Sequence, residues 1–360
     1  MNKTKVALLG TGFIASIHTE SYRRFVPDAE VVAVYSRDTG KASAFAEKHG
    51  IRRSFGDIET LLRETECEIV DICLPNYLHH KACMLAAKAK KHVIIEKPLC
   101  LTLEEADEMI FACRENGKLL MYAEELCFAP KYERVRAIVE SGAIGDIFML
   151  KQAEQHSGPH SRWFYESDKA GGGVLMDMGC HAFAWFRWVL KNAPVKSVYA
   201  DLSHVLHDTD AEDHSLVLVE FETQQGKVIA LAQNSWCKQG GMDDHMEITG
   251  TKGFASGDLF RGNSSLVYSV NGYDYASEKA GGTQGWTFPI FEEAYNQGYP
   301  NELRHFIQCV RTESQPIVTG EDGKAVLEIL YAAYASAKEG KKIELPFHAK
   351  VTKPWDLWKK

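Results

Sequence analysis

The sequence has no basic block, no long apolar run and no paired cysteines. Its 360 residues carry 41 Lys and Arg against 49 Asp and Glu, a formal charge of −8. That balance argues against nucleic acid or an anionic membrane surface as the main partner. No stretch approaches the length of a membrane span. The nine cysteines, at 67, 73, 83, 100, 113, 127, 180, 237 and 309, are odd in number and include no Cys-x-x-Cys pair. They read as free thiols in a reducing cytoplasm, not as a disulfide frame. There is no internal repeat and no low-complexity linker. The segment MNKTKVALLGTGFIA has the lysines and apolar run of a secretory leader, but glycines interrupt it and no A-x-A cleavage site follows, so no leader is expected.

What is present is an ordinary globular composition, 45% apolar and 25% charged, in a chain long enough for two domains. The first third alternates apolar runs (6–10, 30–36, 68–74, 92–97 and 118–123) with helix-like segments such as IASIHTESYRRF and YLHHKACMLAAKAK. That alternation predicts βαβ units and a doubly wound parallel sheet. Thr102 followed by Glu105 has the spacing of a capping box. After a helix near 130–141, strand patterns dominate: SVYADLSHV, HSLVLVEFE and KVIALAQNSW, the last two joined by the hairpin-like TQQGK. EITGTKGFASGD reads as a second hairpin, and helices near 292–312 and 321–338 close the chain. The expected organisation is therefore an α/β fold with a dinucleotide-binding domain over 1–123 and a second α/β domain over 124–360 with a mixed or antiparallel sheet. The closing segment is placed on either domain. Residues 271–290, rich in glycine and aromatics, read as a loop near a ligand or a partner chain.

Gly10-Thr11-Gly12-Phe13-Ile14-Ala15 stands between the first strand and the first helix. This is the GxGxxG/A fingerprint in its expected place. The first glycine allows a tight turn, the second lets main chain approach a pyrophosphate, and the small sixth residue packs helix on strand. The helix N-terminus then offers main-chain N–H groups to the phosphates. At the end of the second strand, Ser36 and Arg37 favour the extra phosphate of NADP, whereas Asp38 favours the ribose of NAD. Both cofactors stay open at this point.

Three further stretches complete the pattern: Leu74-Pro75-Asn76-Tyr77-Leu78-His79, Glu96-Lys97-Pro98-Leu99, and GGGVLMDMGCH from Gly171 to His181. With the fingerprint they resemble the Gfo/Idh/MocA oxidoreductases over nearly the whole chain. The Glu-Lys-Pro tripeptide is the most specific mark. The resemblance implies a Rossmann domain, a C-terminal domain with a large open sheet that often mediates homo-oligomers, and a cofactor that many relatives hold tightly. It implies that Lys97, Asp177 and His181 form the catalytic set, that Leu74, Asn76 and His79 lie near the nicotinamide, and that Glu96 holds its ribose. The chain departs from the family at Ala184, where many relatives carry an acid, and at YAEELCFAP, where many carry asparagine and arginine.

The residues support that chemistry independently. Oxidising an alcohol to a ketone needs a general base for the hydroxyl proton and a charge to stabilise the developing alkoxide. Histidine suits the first role and lysine the second. A largely helical 176–190 would put Asp177 and His181 four residues apart on one face, with the preceding glycines letting main chain pass close to a ligand or adopt positive φ. The alternative is a capping aspartate and a core histidine. Phe183, Trp185, Phe186 and Trp188 are expected in the core. In Gln155–Trp163, His156 and Trp163 mix hydroxyl-binding and aromatic character as sugar sites do; an ordinary surface loop is the alternative. No metal-ligand spacing is present. The expected function is oxidation of a secondary hydroxyl of a sugar, glycoside or polyol with hydride transfer to NAD or NADP. SGPHSRWF followed by AGGGVLMDMGCH also resembles a subgroup that oxidises the glucose C3 hydroxyl of plant glycosides, C-glycosides included. An inositol or free-sugar dehydrogenase, a redox glycosidase and a non-catalytic nicotinamide sensor are the competing readings.

Overall fold

The structure is a computed structural model and describes residues 3–260, 267–271, 284–287, 293–348 and 353–359. The apolar runs of the first third become β1 (Thr4–Leu9), β2 (Ala29–Tyr35), β3 (Arg53–Phe55), β4 (Ile69–Ile72), β5 (His92–Glu96) and β6 (Leu120–Ala123). They form one parallel sheet in the order β3-β2-β1-β4-β5-β6. The connections are α1 (Phe13–Phe25), α2 (Thr39–His49), α3 (Ile58–Glu64), α4 (His79–Lys88) and α5 (Leu103–Glu115). Every residue of β4 and β6 is buried, as expected for strands covered on both faces. The strand order reverses between β1 and β4, which puts a ligand crevice at their C-terminal ends. β3 was not foreseen: it has three residues, two of them exposed, and no apolar run marks it. Thr102 caps α5 through Oγ1, which accepts from the Glu105 N–H at 3.0 Å. The reciprocal Glu105 carboxylate accepts from Leu101 N–H, one residue before the cap.

The later chain contributes α6 (Pro130–Glu140), β7 (Ile147–Gln155), α7 (Ser167–Ala170), a π-helical turn (Leu175–Gly179), α8 (Cys180–Val189), β8 (Val195–Ser203), β9 (His214–Thr223), β10 (Gly226–Ser235), β11 (Asp243–Gly250) and β12 (Gly253–Asp258). A short pair, β13 (Val267–Ser269) and β14 (Gly285–Thr287), precedes α9 (Glu293–Gln297), α10 (Tyr299–Thr312), α11 (Gly320–Glu339) and β15 (Ile343–Glu344). The second sheet is mixed, in the order β12-β11-β7-β10-β9-β8-β15, with β7 and β10 parallel. Both foreseen hairpins are present, β9–β10 and β11–β12. β9 alternates buried Ser215, Val217, Val219 and Phe221 with exposed Leu216 and Leu218, the pattern of a sheet covered on one face. Phe183, Trp185, Phe186 and Trp188 of α8 are buried, as expected of core residues.

The chain divides into two compact units, 1–128 with 298–327, and 129–297 with 328–360. Residues 124–128 belong to the first unit, just past the expected boundary at 123, and α10 joins them there, one of the two placements expected for the closing segment. α10 lies along α1: Arg304 donates to the Phe25 carbonyl at 2.9 Å and Arg311 pairs with Asp28 at 3.2 Å. Most of 271–290, read from the sequence as a ligand or partner loop, lies outside the described residues.

Candidate active site

In the first unit, Gly10 has φ +128° and donates to the Tyr35 carbonyl. A Cβ at Gly10 would stand 2.2 Å from the Cys73 carbonyl oxygen, so close approach to the end of β4 demands glycine as much as the turn does. A Cβ at Gly12 would meet nothing within 4 Å. Gly12 is the N-cap of α1, no side chain caps that end, and no acidic residue occupies its first turn. A free, uncapped helix N-terminus beside open space fits a pyrophosphate. Phe13 is exposed at the start of α1, while Ile14 turns inward against the cluster of Leu8, Ala15 and Val34. Only the main chain of Ile14 is therefore placed toward the loop.

Ser36 follows β2 and its N–H donates to the Phe55 carbonyl; Arg37 is exposed. Asp38 is the N-cap of α2, its carboxylate accepting from the Lys41 N–H at 3.1 Å. The acid that the sequence weighed as a ribose ligand is thus engaged as a helix cap.

Glu96 and Lys97 lie at the C-terminal end of β5. Glu96 is buried and its Oε2 accepts from the Lys97 N–H at 3.2 Å; Lys97 is half-buried. Asn76 is buried in the short helical turn before α4. His79, expected near the nicotinamide, is fully buried, with Nε2 2.7 Å from the Leu74 carbonyl and Nδ1 3.0 Å from the Pro98 carbonyl. Burial pulls its pKa down. It ties the Leu74 loop to the residues after Lys97. Beside them, Glu124 follows β6 and is fully buried, which pushes its pKa up to about 8 against the lowering effect of Lys97.

In the second unit, the opening glycines pack against their own chain. A Cβ on Gly172 would lie 2.0 Å from the Tyr334 hydroxyl, and one on Gly173 would lie 1.8 Å from the Glu212 carbonyl oxygen. Gly171, at φ +90°, takes the positive φ expected of this run. Glu212 Oε1 accepts from Gly173 N–H at 3.1 Å, Leu175 N–H at 3.0 Å and Tyr334 hydroxyl at 2.9 Å. Burial pushes the Glu212 pKa up to about 7. Asp177 then falls in the π-helical turn and α8 begins at Cys180, so Asp177 and His181 are not partners on one continuous α-helix as expected. Glycines on both sides of the turn and the capture of two N–H groups by Glu212 favour the wider winding, a feature common at functional positions. Both Asp177 and His181 are buried, and Asp177 Oδ2 accepts from Trp236 Nε1 at 3.2 Å.

His156 is buried at the end of β7, its Nδ1 accepting from the Gly158 N–H at 3.0 Å. Trp163 is half-buried and stacks on Phe164 with centroids 3.8 Å apart. Phe164 and Tyr165 pack on Val174, Met178 and Trp236, and Tyr165 meets Trp236 edge-on. The aromatic floor under Asp177 is thus made by Tyr165 and Trp236. Sequence reasoning missed Trp236 and Glu212, which lie far along the chain from the motif they support, and Tyr165, whose spacing from Trp163 does not show which ring faces the motif. All nine cysteines are free, and Cys180 Sγ donates to the Asp177 carbonyl, a structural role.

Residues 4–124 match the family described as an oxidoreductase family with an NAD-binding Rossmann fold, and residues 132–256 match the Gfo/Idh/MocA C-terminal domain. The chain belongs to the Gfo/Idh/MocA oxidoreductase family. Myo-inositol 2-dehydrogenase of Thermotoga maritima is 28% identical over 95% of this chain and 98% of that protein. D-glucoside 3-dehydrogenase of Escherichia coli is 27% identical over 95% and 97%. The solved structure of GenD2 from gentamicin A biosynthesis in complex with NAD superposes with a TM-score of 0.89 at 29% identity, covering 96% of this chain and 97% of that one. As a member of this family the protein is an NAD-dependent oxidoreductase. Among the described residues no helix is long and apolar enough to cross a membrane.

Proposed function

We propose that the protein oxidises a secondary hydroxyl of a sugar, glycoside or cyclic polyol to a ketone, with the glucose C3 hydroxyl of a glycoside as the preferred position. The observation that carries this reading is the Asp177 carboxylate, fixed by Trp236 in a π-helical turn one short step before His181. A carboxylate held that way accepts from substrate hydroxyls, and an imidazole beside it takes the proton of the reacting one. Gly10, Gly12 and the uncapped α1 hold the cofactor's pyrophosphate, and bound NAD supplies the hydride-accepting carbon. Lys97 stabilises the developing alkoxide. His156 and the Trp163–Phe164 stack offer a polar edge and an apolar plate for a sugar ring. D-glucoside 3-dehydrogenase and myo-inositol 2-dehydrogenase among the relatives support a polyhydroxylated substrate.

The same reading includes self-association. Tyr199, Leu218, Met149 and Phe254 stand exposed on the second sheet, and the register sets Tyr199 directly beside Leu218. An apolar sheet face of this kind favours burial against another copy.

The test presents glucosides, free hexoses and inositols in turn with NAD. Reduced nicotinamide together with a ketone from glucosides is the expected result. Turnover of inositols alone would move the substrate to cyclic polyols, and release of aglycone without net reduction would favour a redox glycosidase.

A further inference from the structure

His18 occupies the middle of α1 and is fully enclosed, far from the exposed surface of that helix. Its Nδ1 lies 3.0 Å from Asp71 Oδ2 on β4, and its Nε2 lies 2.9 Å from Glu96 Oε1 at the end of β5. A ring this close to a carboxylate on each side is favoured in its doubly protonated, charged form. The surroundings agree. Burial works against the charge, but the neighbouring Cys73 and Asp71 outweigh it and raise the His18 pKa well above the ordinary value. Asp71 also accepts from the Tyr22 hydroxyl at 3.0 Å, which fixes the far side of the clamp. The other oxygen of Glu96 accepts from the Lys97 main-chain N–H. Two hydrogen bonds, Asp71 to His18 and Glu96 to the Lys97 main chain, are thus joined by a close His18–Glu96 ion pair.

We propose that His18 is a positioning residue for Lys97: held as a cation between Asp71 and Glu96, it fixes the Glu96 carboxylate that anchors the Lys97 main chain and offsets its negative charge. The proposal rests on the reading of Lys97 as the group that stabilises the reacting oxygen. Without His18, the Glu96 carboxylate loses a positive neighbour and holds the Lys97 ammonium form more strongly. The other titratable groups facing His18 are Cys73 on β4, Tyr22 on its own helix, and Tyr299 and Glu302 on α10; Glu124 faces Lys97 from the end of β6. Glu302 is fully buried among acids, and burial raises its pKa well above the ordinary carboxyl range, so it does not replace Glu96 as the counter-charge.

The experiment needs no cofactor for its first readout. The pH dependence of Lys97 acylation is followed by peptide mass spectrometry in the full-length wild type, His18→Gln and Glu96→Gln. The Lys97 midpoint should move to higher pH in H18Q and to lower pH in E96Q. Opposite signs are the signature of charge compensation, which a loss of packing would not produce. Midpoints that stay with the wild type, or that move together, overturn the proposal, and His18→Asn takes the place of H18Q if H18Q does not fold. The second readout is kinetic. H18Q should lower kcat by about 10²-fold, the scale of a misplaced catalytic group, with KM for both substrates little changed. Adding H18Q to K97A should cost nothing further; an equal second loss would overturn the positioning role. A fully active K97A would instead remove the catalytic reading of Lys97 while leaving the acylation result to judge the clamp.

Discussion

The two units brace their reactive side chains by opposite electrostatic means. In the first, an enclosed imidazole stands between two carboxylates, so a cation sits among anions behind Lys97. In the second, an enclosed carboxyl, Glu212, gathers two main-chain N–H groups and a tyrosine hydroxyl behind the turn that carries Asp177. The first arrangement is charge-compensated, and the Asp71 carboxylate favours the protonated ring against the cost of burial. The second has neutral donors alone, and burial leaves its pKa at about 7. The Lys97 side of the chemistry should therefore tolerate pH change, while the Asp177 side should respond to it near neutrality.

The largest effect that would break this comparison is loss of the reactive groups themselves. His181→Ala should lower kcat by roughly 10²–10⁴-fold, the range for removal of a general base, with the folded state kept. A near-wild-type rate, read by steady-state kinetics, would take His181 out of that role.

The pH contrast is sharpened by Glu212→Gln. The folded pKa of Glu212 is about 7 against an ordinary 4.5, so the folded state binds its proton more tightly than the unfolded chain. Its contribution to stability is full below pH 4.5 and is lost as pH rises through about 7. Over that window the wild type should lose about 3 kcal/mol relative to E212Q, at roughly 1.4 kcal/mol per pH unit. Denaturant melts of both proteins from pH 4.5 to 8 measure this, and parallel curves would contradict it.

A third contrast uses the glycines. Gly173→Ala drives a Cβ into the Glu212 carbonyl and should destabilise by about 1–3 kcal/mol. Gly12→Ala meets no atom of the chain and should leave the melting temperature unchanged while weakening NAD binding, as calorimetry would show. The smallest expected effect on activity is that of Leu218→Asp on the outer sheet face. Light scattering should find a smaller assembly, with turnover altered only slightly.

Much of this was legible in the sequence because it is local. Gly10, Gly12 and the strands around them are set by contiguous patterns, and so is the Glu96-Lys97 pair at a strand end. His18 and Glu212 were not legible, since their meaning lies in partners 53 and 39 positions away. His79 shows what a motif leaves out: its ring turns inward to main-chain carbonyls, a direction that residue spacing does not encode. The π-helical turn escaped for a related reason. The spacing of Asp177 and His181 suits an α-helix, and the wider winding comes from Glu212 holding the entry and glycines flanking it.

The most direct test of the central claim follows one hydrogen. The enzyme is supplied with NAD and a glucoside carrying deuterium at C3, and both products are examined by mass spectrometry. The account predicts that the deuterium appears in the reduced nicotinamide and that the sugar emerges as the 3-ketone. Reduced nicotinamide without deuterium would place the reaction at another carbon, and an unreduced cofactor with the deuterium still on the sugar would contradict oxidation of glucosides by this protein.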